Sequence, residues 1–357
     1  MISIIAEAGV NHNGDEALAH ALVDAAWQAG ADIVKFQTFR ADKLVTGNAR
    51  QAQYQTTNTG KSESQLAMLS RLELSFDAHL RLIRHCEALG IGFLSTAFDD
   101  DSLDFLIHDI RLQTLKIPSG ELTNAPFVLR HARSGCNLIV STGMSSLAEV
   151  ESALAVIAFG MVREHDATPG MGAFMAAYAS PEGQAALREK VTLLHCTTEY
   201  PAPMSDINLN AINTLAHAFG LPVGYSDHSE GITVPIAAVA RGACLIEKHF
   251  TLDKTMAGPD HQASLEPSEL TDMVKAIRNV EMALGNGIKG PRPCELKNIA
   301  IARKSLVAAC DIALGTELNA HNVAIKRPGD GMSPYCWWDV IGKRASHAYQ
   351  AGDLIRE

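Results

Sequence analysis

The chain has 357 residues and a formal net charge of −10, with 47% hydrophobic and 20% charged residues. This composition is typical of a folded globular protein and argues against an intrinsically disordered one. No basic run and no apolar stretch of about 18 residues is present, so neither a nucleic-acid partner nor a membrane span is expected.

The beginning of the chain and its cysteines bear on the compartment. The first residues, Met1–Glu7, lack both a basic region and a long apolar core, so we do not expect a secretory signal peptide. The seven cysteines are scattered and form no Cys-x-x-Cys pair. This predicts a reduced, cytoplasmic protein whose thiols are structural. A catalytic cysteine is the alternative, but no local pattern supports it.

Short apolar runs alternate with longer amphipathic segments up to about residue 285. The runs are rich in Ile, Val and Leu without strict alternation, which is typical of strands buried on both faces. The predicted strands are 2–8, 32–37, 92–96, 114–117, 137–142, 191–196, 222–226 and 243–250. The predicted helices are 15–29, 76–89, 100–108, 125–134, 146–160, 208–219, 231–241 and 267–284.

Eight strand–helix units in this length predict an α/β fold, a (β/α)8 TIM barrel over residues 1–285. The alternative is an open doubly wound sheet, which usually carries Gly-x-Gly-x-x-Gly after its first strand. The corresponding segment here, Gly9–Gly14, lacks that pattern. We therefore favour the barrel.

Three segments depart from the alternating pattern. Residues 39–75 are long and polar, which predicts a loop over the active face. Residues 161–186 contain Gly, Ala and Pro, and we expect an irregular excursion there. Residues 286–296 are rich in Gly and Pro and predict a linker. The remaining residues, 297–357, form too small a unit for a strong core of its own, so we expect them to pack against a barrel, their own or a neighbour's.

Polar side chains stand at the carboxyl end of every predicted barrel strand, where the ends of a (β/α)8 barrel converge. Any one of them alone is more often a solvated charge or a hydrogen-bonded structural residue, but eight ends out of eight favour a site. In strand order they include Glu7; Lys35 and Gln37; Ser95 and Thr96; Lys116, Ser119 and Glu121; Ser141; His195, Thr198, Glu199 and Tyr200; Ser226, Asp227 and His228; and Glu247 and His249.

These residue types suit a small anionic substrate and a metal ion. Two lysines with Ser and Thr hydroxyls match a ligand that carries phosphate and carboxylate groups. Two imidazoles on adjacent strands, His228 and His249, suit a catalytic divalent ion that leaves ligand positions open. The carboxylates, Asp260 among them, offer acid–base groups and partners for sugar hydroxyls, and spacing does not tell which of them moves a proton.

The same segments resemble the sialic acid synthase family almost end to end. They include Ile5–Gly14, Val34–Thr38, Lys116–Glu121, Ser141–Met144, His195–Pro201, Tyr225–His228, Glu247–Thr251 and Gly258–His261. The tail, with Lys304–Val307 and Lys326–Gly331, is similar to the family's C-terminal SAF domain, which is related to type III antifreeze proteins.

The resemblance implies a condensation of phosphoenolpyruvate with an open-chain N-acyl-mannosamine-type sugar, giving a nine-carbon α-keto acid and phosphate. It assigns a group of residues to phosphoenolpyruvate: Lys35, Thr96, Lys116, Ser119, Ser141, Ser226 and, where some members have Asn, Thr198. It implies that His228 and His249 bind a divalent metal ion, usually manganese, and that Glu7 lies near the reacting centre. The sugar-facing positions are Gln37, Glu121, Tyr200 and Asp260. Among the carboxylates, Glu7 and Glu121 are expected to be catalytic together with the two lysines.

The resemblance also implies a domain-swapped homodimer in which Arg327 of the tail reaches into the partner subunit's site. The sugar is expected to be N-acetylmannosamine or a close analogue, with two alternatives. N-acetylmannosamine would give N-acetylneuraminate, a 2,4-diacetamido-2,4,6-trideoxymannose would give N,N'-diacetyllegionaminate, and a pseudaminate synthase is a third branch. Two other functions compete: a related barrel enzyme that adds phosphoenolpyruvate to an aldose phosphate, and a non-catalytic ice- or carbohydrate-binding protein.

Overall fold

Eight parallel strands close into a barrel in the first part of the chain. Each strand pairs with its neighbours in chain order, and the last strand pairs back with the first. The strands are β1 (Ser3–Gly9), β2 (Ile33–Thr38), β3 (Gly92–Ala97), β4 (Thr114–Ile117), β5 (Asn137–Ser141), β6 (Val191–Cys196), β7 (Val223–Asp227) and β8 (Leu245–His249). The computed structural model describes residues 1–60 and 62–357. The predicted TIM barrel is confirmed, and the doubly wound sheet is excluded by the closure.

Helices surround this barrel and begin where the sequence supplies caps. Asp15 accepts hydrogen bonds from the backbone of Ala17 and Leu18, and Ser146 and Glu149 form a capping box. The helices are α1 (Glu16–Ala29), α2 (Ala41–Leu44), α3 (Gln53–Thr59), α4 (Gln65–Ser70), α5 (Phe76–Leu89), α6 (Asp100–Asp104), α7 (Ala125–Arg133), α8 (Leu147–Val162), α9 (Met171–Tyr178), α10 (Pro181–Lys190), α11 (Asn210–Phe219), α12 (Thr233–Ala240) and α13 (Pro267–Leu284).

Two apolar layers hold the barrel together. The larger layer lies between the strands and the helices, where Phe36, Ile117 and Tyr225 are buried. A smaller cluster fills the barrel interior below the carboxyl ends of the strands; it consists of Ile5, Leu94, Ile139, Leu194 and Leu245. Because these apolar side chains fill the lower part of the interior, the polar side chains of the interior lie at the carboxyl ends of the strands.

The prediction of an irregular excursion at residues 161–186 is wrong. The segment contains helix α9 and the start of α10, and Phe174 of α9 packs edge-on against Phe159 of α8 with ring centroids 5.2 Å apart. Ser180 caps α10 and Pro181 occupies its first position, where proline is compatible with a helix start.

The predicted loop at 39–75 is more ordered than its composition indicates. It carries the three short helices α2, α3 and α4, and it has its own small apolar cluster of Val10, Phe39, Met68 and Leu72. Local caps and this cluster compensate for a polar sequence that shows no long amphipathic period.

The chain divides into two units, Met1–Gly285 and Asn286–Glu357. The second unit contains α14 (Pro293–Ala302), β9 (Ser305–Ala308), β10 (Val323–Lys326) and α15 (Trp337–Val340), and β9 pairs antiparallel with β10. Helix α14 begins inside the segment that we predict as a linker. The core of this unit includes Leu306, Leu318, Val323 and Ile355.

All seven cysteines are free. Among the described helices, none combines the length and the apolar character that a membrane crossing requires.

Candidate active site

Strand register brings the predicted side chains to one end of the barrel. Glu7 lies opposite Lys35 on β2 and opposite His249 on β8, while Thr96 lies opposite Gln37 and Lys116. Residues two apart on a strand point to the same face. For this reason the interior receives two side chains from β2, Lys35 and Gln37, and two from β8, Glu247 and His249.

These side chains line a cavity of about 190 Å3 at the carboxyl ends of the strands. All predicted site residues line it except Glu121, Asp260 and Arg327. The lining consists of Glu7, Lys35, Gln37, Tyr54, Thr96, Phe98, Lys116, Pro118, Ser119, Gly120, Ser141, Thr198, Tyr200, Ser226, His228, Glu247 and His249.

A chain of alternating charges crosses the cavity. Lys35 Nζ lies 2.7 Å from Glu7 Oε2 and 3.6 Å from Glu247 Oε2, and Lys116 Nζ donates to both oxygens of Glu247 at 2.8 Å. Lys35 also donates to Thr96 Oγ1 at 3.1 Å. Each of the four charged side chains is buried, so the two ammonium groups and two carboxylates compensate one another in a poorly solvated space.

Burial and pairing shift the pKa values of this chain in different directions. Burial raises the pKa of Glu7, and Lys35 opposes the rise without cancelling it. Burial also raises the pKa of Glu247, but Lys116 and then Lys35 outweigh it and leave that pKa well below its ordinary range. Burial lowers the pKa of both lysines; Glu247 and Glu7 reverse this for Lys35, whereas the pKa of Lys116 stays lowered. Glu247 therefore stays ionised at neutral pH, and Glu7 is the more easily protonated of the two carboxyl groups.

Hydroxyl groups surround a pocket beside Lys116. Ser119 Oγ accepts a hydrogen bond from the Gly143 amide at 3.1 Å and lies 3.2 Å from Cys196 Sγ, and Thr198 Oγ1 is a buried atom without a hydrogen-bond partner. A Cβ on Gly143 would come within 2.4 Å of Thr198 Oγ1 and 2.7 Å of Ser119 Oγ. The glycine thus leaves room for two hydroxyl groups that are free to bind an anion.

Two neutral imidazoles face the other side of the cavity. The ring centroids of His228 and His249 are 5.4 Å apart. Burial lowers the pKa of His228 to about 4, and burial with the neighbouring His228 lowers that of His249 well below its usual value. His228 Nδ1 lies 2.6 Å from the Thr197 carbonyl, to which it donates, so Nε2 is the unprotonated nitrogen; the Tyr200 hydroxyl lies 3.1 Å from it.

These imidazoles fit a divalent metal ion in their chemistry. His249 Nδ1 is a buried atom without a hydrogen-bond partner, and both rings are in the neutral form that metal binding requires. Among the described residues, no group of three or more His, Cys, Asp or Glu is arranged as a ligand set. Two histidines would hold the ion, and water or substrate would supply its remaining ligands.

Asp260 lies next to His249 but is not part of the cavity lining. Its Oδ2 is 3.7 Å from His249 Nδ1, and burial, then the charge of Glu7, raises its pKa to about 7. Ser264 Oγ donates to the Asp260 carbonyl, and Asn11 Nδ2 donates to Ser264 Oγ. The loop that follows β8 is therefore fastened to the loop that follows β1.

Besides Asp260, Ser95 and His195, four more predicted polar residues lie outside the cavity lining. Glu121 lines a neighbouring cavity of about 430 Å3 and accepts a hydrogen bond from Asn124 at 2.7 Å. Glu199 is exposed. The expectation that Asp227 offers an acid–base or sugar-binding group is wrong, because it is fully buried against Lys248. Arg327 belongs to the second unit, where it is exposed and its Nε donates to the Ala302 carbonyl.

Five lining residues received no role from the sequence: Tyr54, Phe98, Pro118, Gly120 and Glu247, of which only Glu247 stood among the polar strand-end residues. Glu247 was recognisable, because it stands two residues before His249 on the same strand. Tyr54 comes from α3, inside the long polar segment, and stacks on Tyr200 with centroids 5.1 Å apart; Tyr200 in turn stacks on His228 at 4.1 Å. No periodic pattern in the sequence links residue 54 to a strand end.

Comparisons with known proteins agree with this geometry. The NeuB family model matches residues 22–289, and the SAF domain model matches residues 303–357. The chain is 47% identical over 354 residues to an N,N'-diacetyllegionaminic acid synthase of Campylobacter jejuni, covering 99% of this chain and 98% of the relative. It is 45% identical to an enzyme of the same name from Legionella pneumophila, covering 99% and 92%. A crystal structure of an N-acetylneuraminic acid synthetase from Leptospira borgpetersenii is 32% identical, with a TM-score of 0.66, covering 84% of this chain and 90% of that one.

Proposed function

The chain belongs to the NeuB family and carries a SAF domain, and from this premise we propose that it is a nonulosonate synthase. It condenses phosphoenolpyruvate with the open-chain form of an N-acyl hexosamine and releases phosphate. One observation carries the proposal: two buried lysines, a set of hydroxyl groups and two neutral imidazoles line the same cavity. This set combines groups for an anion with groups for a divalent ion in one space.

The sugar that we propose is 2,4-diacetamido-2,4,6-trideoxymannose, and the product is N,N'-diacetyllegionaminate. The relatives at 47% and 45% identity both carry the name of that synthase. The sequence alone ranked N-acetylmannosamine first. We keep it as the second candidate, because the solved relative at 32% identity is an N-acetylneuraminic acid synthetase.

Phosphoenolpyruvate is proposed to occupy the side of the cavity that carries Lys35 and Lys116. The hydroxyl groups of that side are those of Thr96, Ser119, Ser141, Thr198 and Ser226. Ser226 Oγ donates to Glu247 Oε1 at 2.9 Å, and Lys116 donates to the same carboxylate, so Glu247 engages groups that a phosphate would use. An arriving phosphate must therefore share or take these donors, and the second lysine compensates part of the added charge.

In the proposed reaction, C3 of phosphoenolpyruvate forms a bond to the aldehyde carbon, and C2 gains oxocarbenium character. The former aldehyde oxygen takes up a proton and becomes a hydroxyl group. Water then adds to C2 and loses a proton; the new C2 hydroxyl gives up its own proton as the C2 carbonyl forms, and the bond between C2 and the phosphate oxygen breaks to release inorganic phosphate. Lys35 and Lys116 stabilise the phosphate charge throughout. Glu7, whose pKa burial raises, is placed to accept a proton from the water, and Gln37 Nε2 donates to its Oε1 at 3.3 Å.

His228 and His249 are the residues that would hold a divalent ion, for which we propose manganese. When bound, the ion would act as a Lewis acid that polarises the sugar aldehyde. Tyr200 orients this side of the cavity: its hydroxyl lies 3.1 Å from His228 Nε2, and its ring stacks on the imidazole. Asp260, next to His249, is proposed to face the sugar.

We also propose that the enzyme acts as a cytoplasmic homodimer in which Arg327 and its unit complete the site of the partner subunit. The exposed guanidinium of Arg327 supports this idea, because its Nε bond to Ala302 leaves donors free. Glu121 is proposed to contact the sugar from the neighbouring cavity.

A phosphate-release assay tests the proposed function. Purified protein with Mn2+ and phosphoenolpyruvate is given the diacetamido sugar, N-acetylmannosamine or an aldose phosphate, and the product is identified by mass spectrometry. We expect the highest kcat/KM with the diacetamido sugar. Faster turnover of the aldose phosphate would contradict the proposal, and so would an absence of phosphate release with both N-acyl sugars, which is the result for a non-catalytic binding protein.

A further inference from the structure

A second ion pair lies on the opposite face of the strands that carry the imidazoles. Asp227 and Lys248 are paired in the register of β7 and β8, and their side chains are completely buried. Lys248 Nζ lies 2.7 Å from Asp227 Oδ2. Because alternate residues point to opposite faces, this pair faces the helices while its chain neighbours face the cavity.

Every charged atom of the pair has partners. Asp227 Oδ1 accepts hydrogen bonds from the Ser229 amide at 2.9 Å, from Ser229 Oγ at 2.7 Å and from the Tyr225 hydroxyl at 3.2 Å. Lys248 Nζ also donates to the Ser229 carbonyl. The pair therefore fixes three consecutive residues of β7 and its following loop, with His228 at their centre.

Stability alone is a weak reason for such a pair. Taking two charges out of water is costly, and apolar residues of similar volume often serve equally well or better in a buried position. Apolar residues do not supply directional contacts. Lys248 joins the two strands at one register through its contacts with Asp227 and with the Ser229 carbonyl. On β8, Lys248 lies between Glu247 and His249, so the same contacts fix the backbone that carries both cavity residues.

We propose that Asp227 and Lys248 are positioning residues that hold His228 and His249 at the separation a divalent ion requires. This inference rests on the proposed function, because it assumes that the two imidazoles bind the ion. Neither residue touches the cavity, so both act through the strands that they join. Groups that orient metal ligands from behind typically change metal affinity or activity by about 10- to 100-fold when they are removed.

The test compares a neutral double variant with a matched control. Asp227→Asn/Lys248→Met removes both charges, so no buried charge is left unpaired. The control, Asp32→Asn/Arg278→Met, removes another ion pair, in which Arg278 Nη2 donates to both oxygens of Asp32 at 2.7 Å. Asp32 comes just before β2, so this pair lies at the other end of the barrel. For metal-stripped wild type and both variants, Mn2+ binding is measured from the free-ion signal in electron paramagnetic resonance, and folding is measured by urea unfolding.

We expect the Asp227→Asn/Lys248→Met variant to raise the Kd for Mn2+ by on the order of tenfold or more, while the control stays within about twofold. A purely structural role would lower the urea midpoint of the variant and leave Mn2+ binding by the folded protein unchanged; that result overturns the inference. If the double variant does not fold, Ser229→Ala, which keeps the ion pair, replaces it. A severalfold rise in Kd then supports the inference, and an unchanged Kd overturns it. Wild type that binds no Mn2+ contradicts the proposed metal site itself, which separates the two failures.

Discussion

Lys116 on β4 and Glu247 on β8 are joined by two hydrogen bonds of 2.8 Å across the barrel. In a closed barrel of eight strands these two strands stand on opposite sides, so the pair spans the interior. The groups that we propose to bind the anion are thus held in place before a ligand arrives, by a carboxylate that makes the contacts we propose for the phosphate. Such preorganisation reduces the rearrangement that binding requires.

The hydroxyl pocket beside Gly143 should be sensitive to a single methyl group. In Gly143→Ala the new Cβ would meet Thr198 Oγ1 and Ser119 Oγ, so we expect the Kd for phosphoenolpyruvate, measured by isothermal titration calorimetry, to rise by about tenfold or more. The matched control is Gly120→Ala, which lines the same cavity with nothing within 4 Å of its added Cβ. Equal Kd values for the two variants would refute this account of the pocket.

Tyr54 should contribute through its ring rather than its hydroxyl. Tyr54→Ala removes the stack on Tyr200, and since such aromatic pairs contribute about 0.5–1.5 kcal/mol, we expect the KM for the sugar to rise by about three- to tenfold. Tyr54→Phe keeps the stack and should remain close to wild type. Steady-state kinetics with both variants decide the point: a loss in Tyr54→Phe as large as that in Tyr54→Ala would show that the hydroxyl, and not the stack, matters.

The strand ends were predictable because their signal is local. An apolar run followed by a polar residue places Lys35, Lys116 and His228 at one end of any parallel barrel, whatever the loops do. The side of a strand is also readable from alternation: Asp227 stands between Ser226 and His228 and so faces away from them, a point that the sequence interpretation missed. Counting alternate residues would have excluded Asp227 and would have directed Glu247, which stood in the strand-end list without a role, into the cavity.

The rest depends on long-range packing. Tyr54 reaches the cavity because α3 crosses the barrel mouth, where Asn58 Nδ2 donates to the Pro259 carbonyl at 2.7 Å. That contact joins residues about 200 positions apart, and no local pattern encodes it. Residues 161–186 were misjudged for a related reason: the burial of Phe174 against α8 stabilises helix α9, whose sequence has no long amphipathic period.

A buried histidine far from the cavity should make the protein acid-sensitive. His131 is completely buried, its Nδ1 donates to the Phe127 carbonyl, and burial lowers its pKa to about 4. The folded protein therefore disfavours protonation of His131, whereas the unfolded chain accepts this proton near pH 6.5. The contribution of His131 to the free energy of unfolding is present above that pH and is lost as the pH falls toward 4.

Urea unfolding at pH 7 and pH 5 measures this effect. His131 should account for about 2 kcal/mol of the loss in unfolding free energy between the two pH values. In His131→Leu this part of the pH dependence should disappear, although the variant itself is less stable at pH 7 because the hydrogen bond to Phe127 is gone. An equally steep pH dependence in the variant would contradict the assignment. Lys275→Ala, a substitution at an exposed position of α13, serves as the control.

The proposed sharing of Arg327 between subunits can be tested by complementation. Arg327→Ala and Lys116→Met are each expected to be inactive as pure dimers. If each site combines the barrel of one subunit with the second unit of its partner, a mixed dimer contains one intact site. An equal mixture, unfolded and refolded together, should then regain about a quarter of wild-type activity. A mixture as inactive as its parents would exclude the shared site.

The most direct measurement for the central claim is phosphate release from phosphoenolpyruvate, with the diacetamido sugar and Mn2+, by wild type and Lys116→Met. Methionine keeps most of the side-chain volume and removes the charge, so we expect kcat/KM to fall by on the order of 10²–10³. Urea unfolding of both proteins and of the exposed Lys275→Ala control shows whether the fold persists. A folded Lys116→Met protein with turnover within a few fold of wild type would contradict the assignment of this cavity as the phosphoenolpyruvate site.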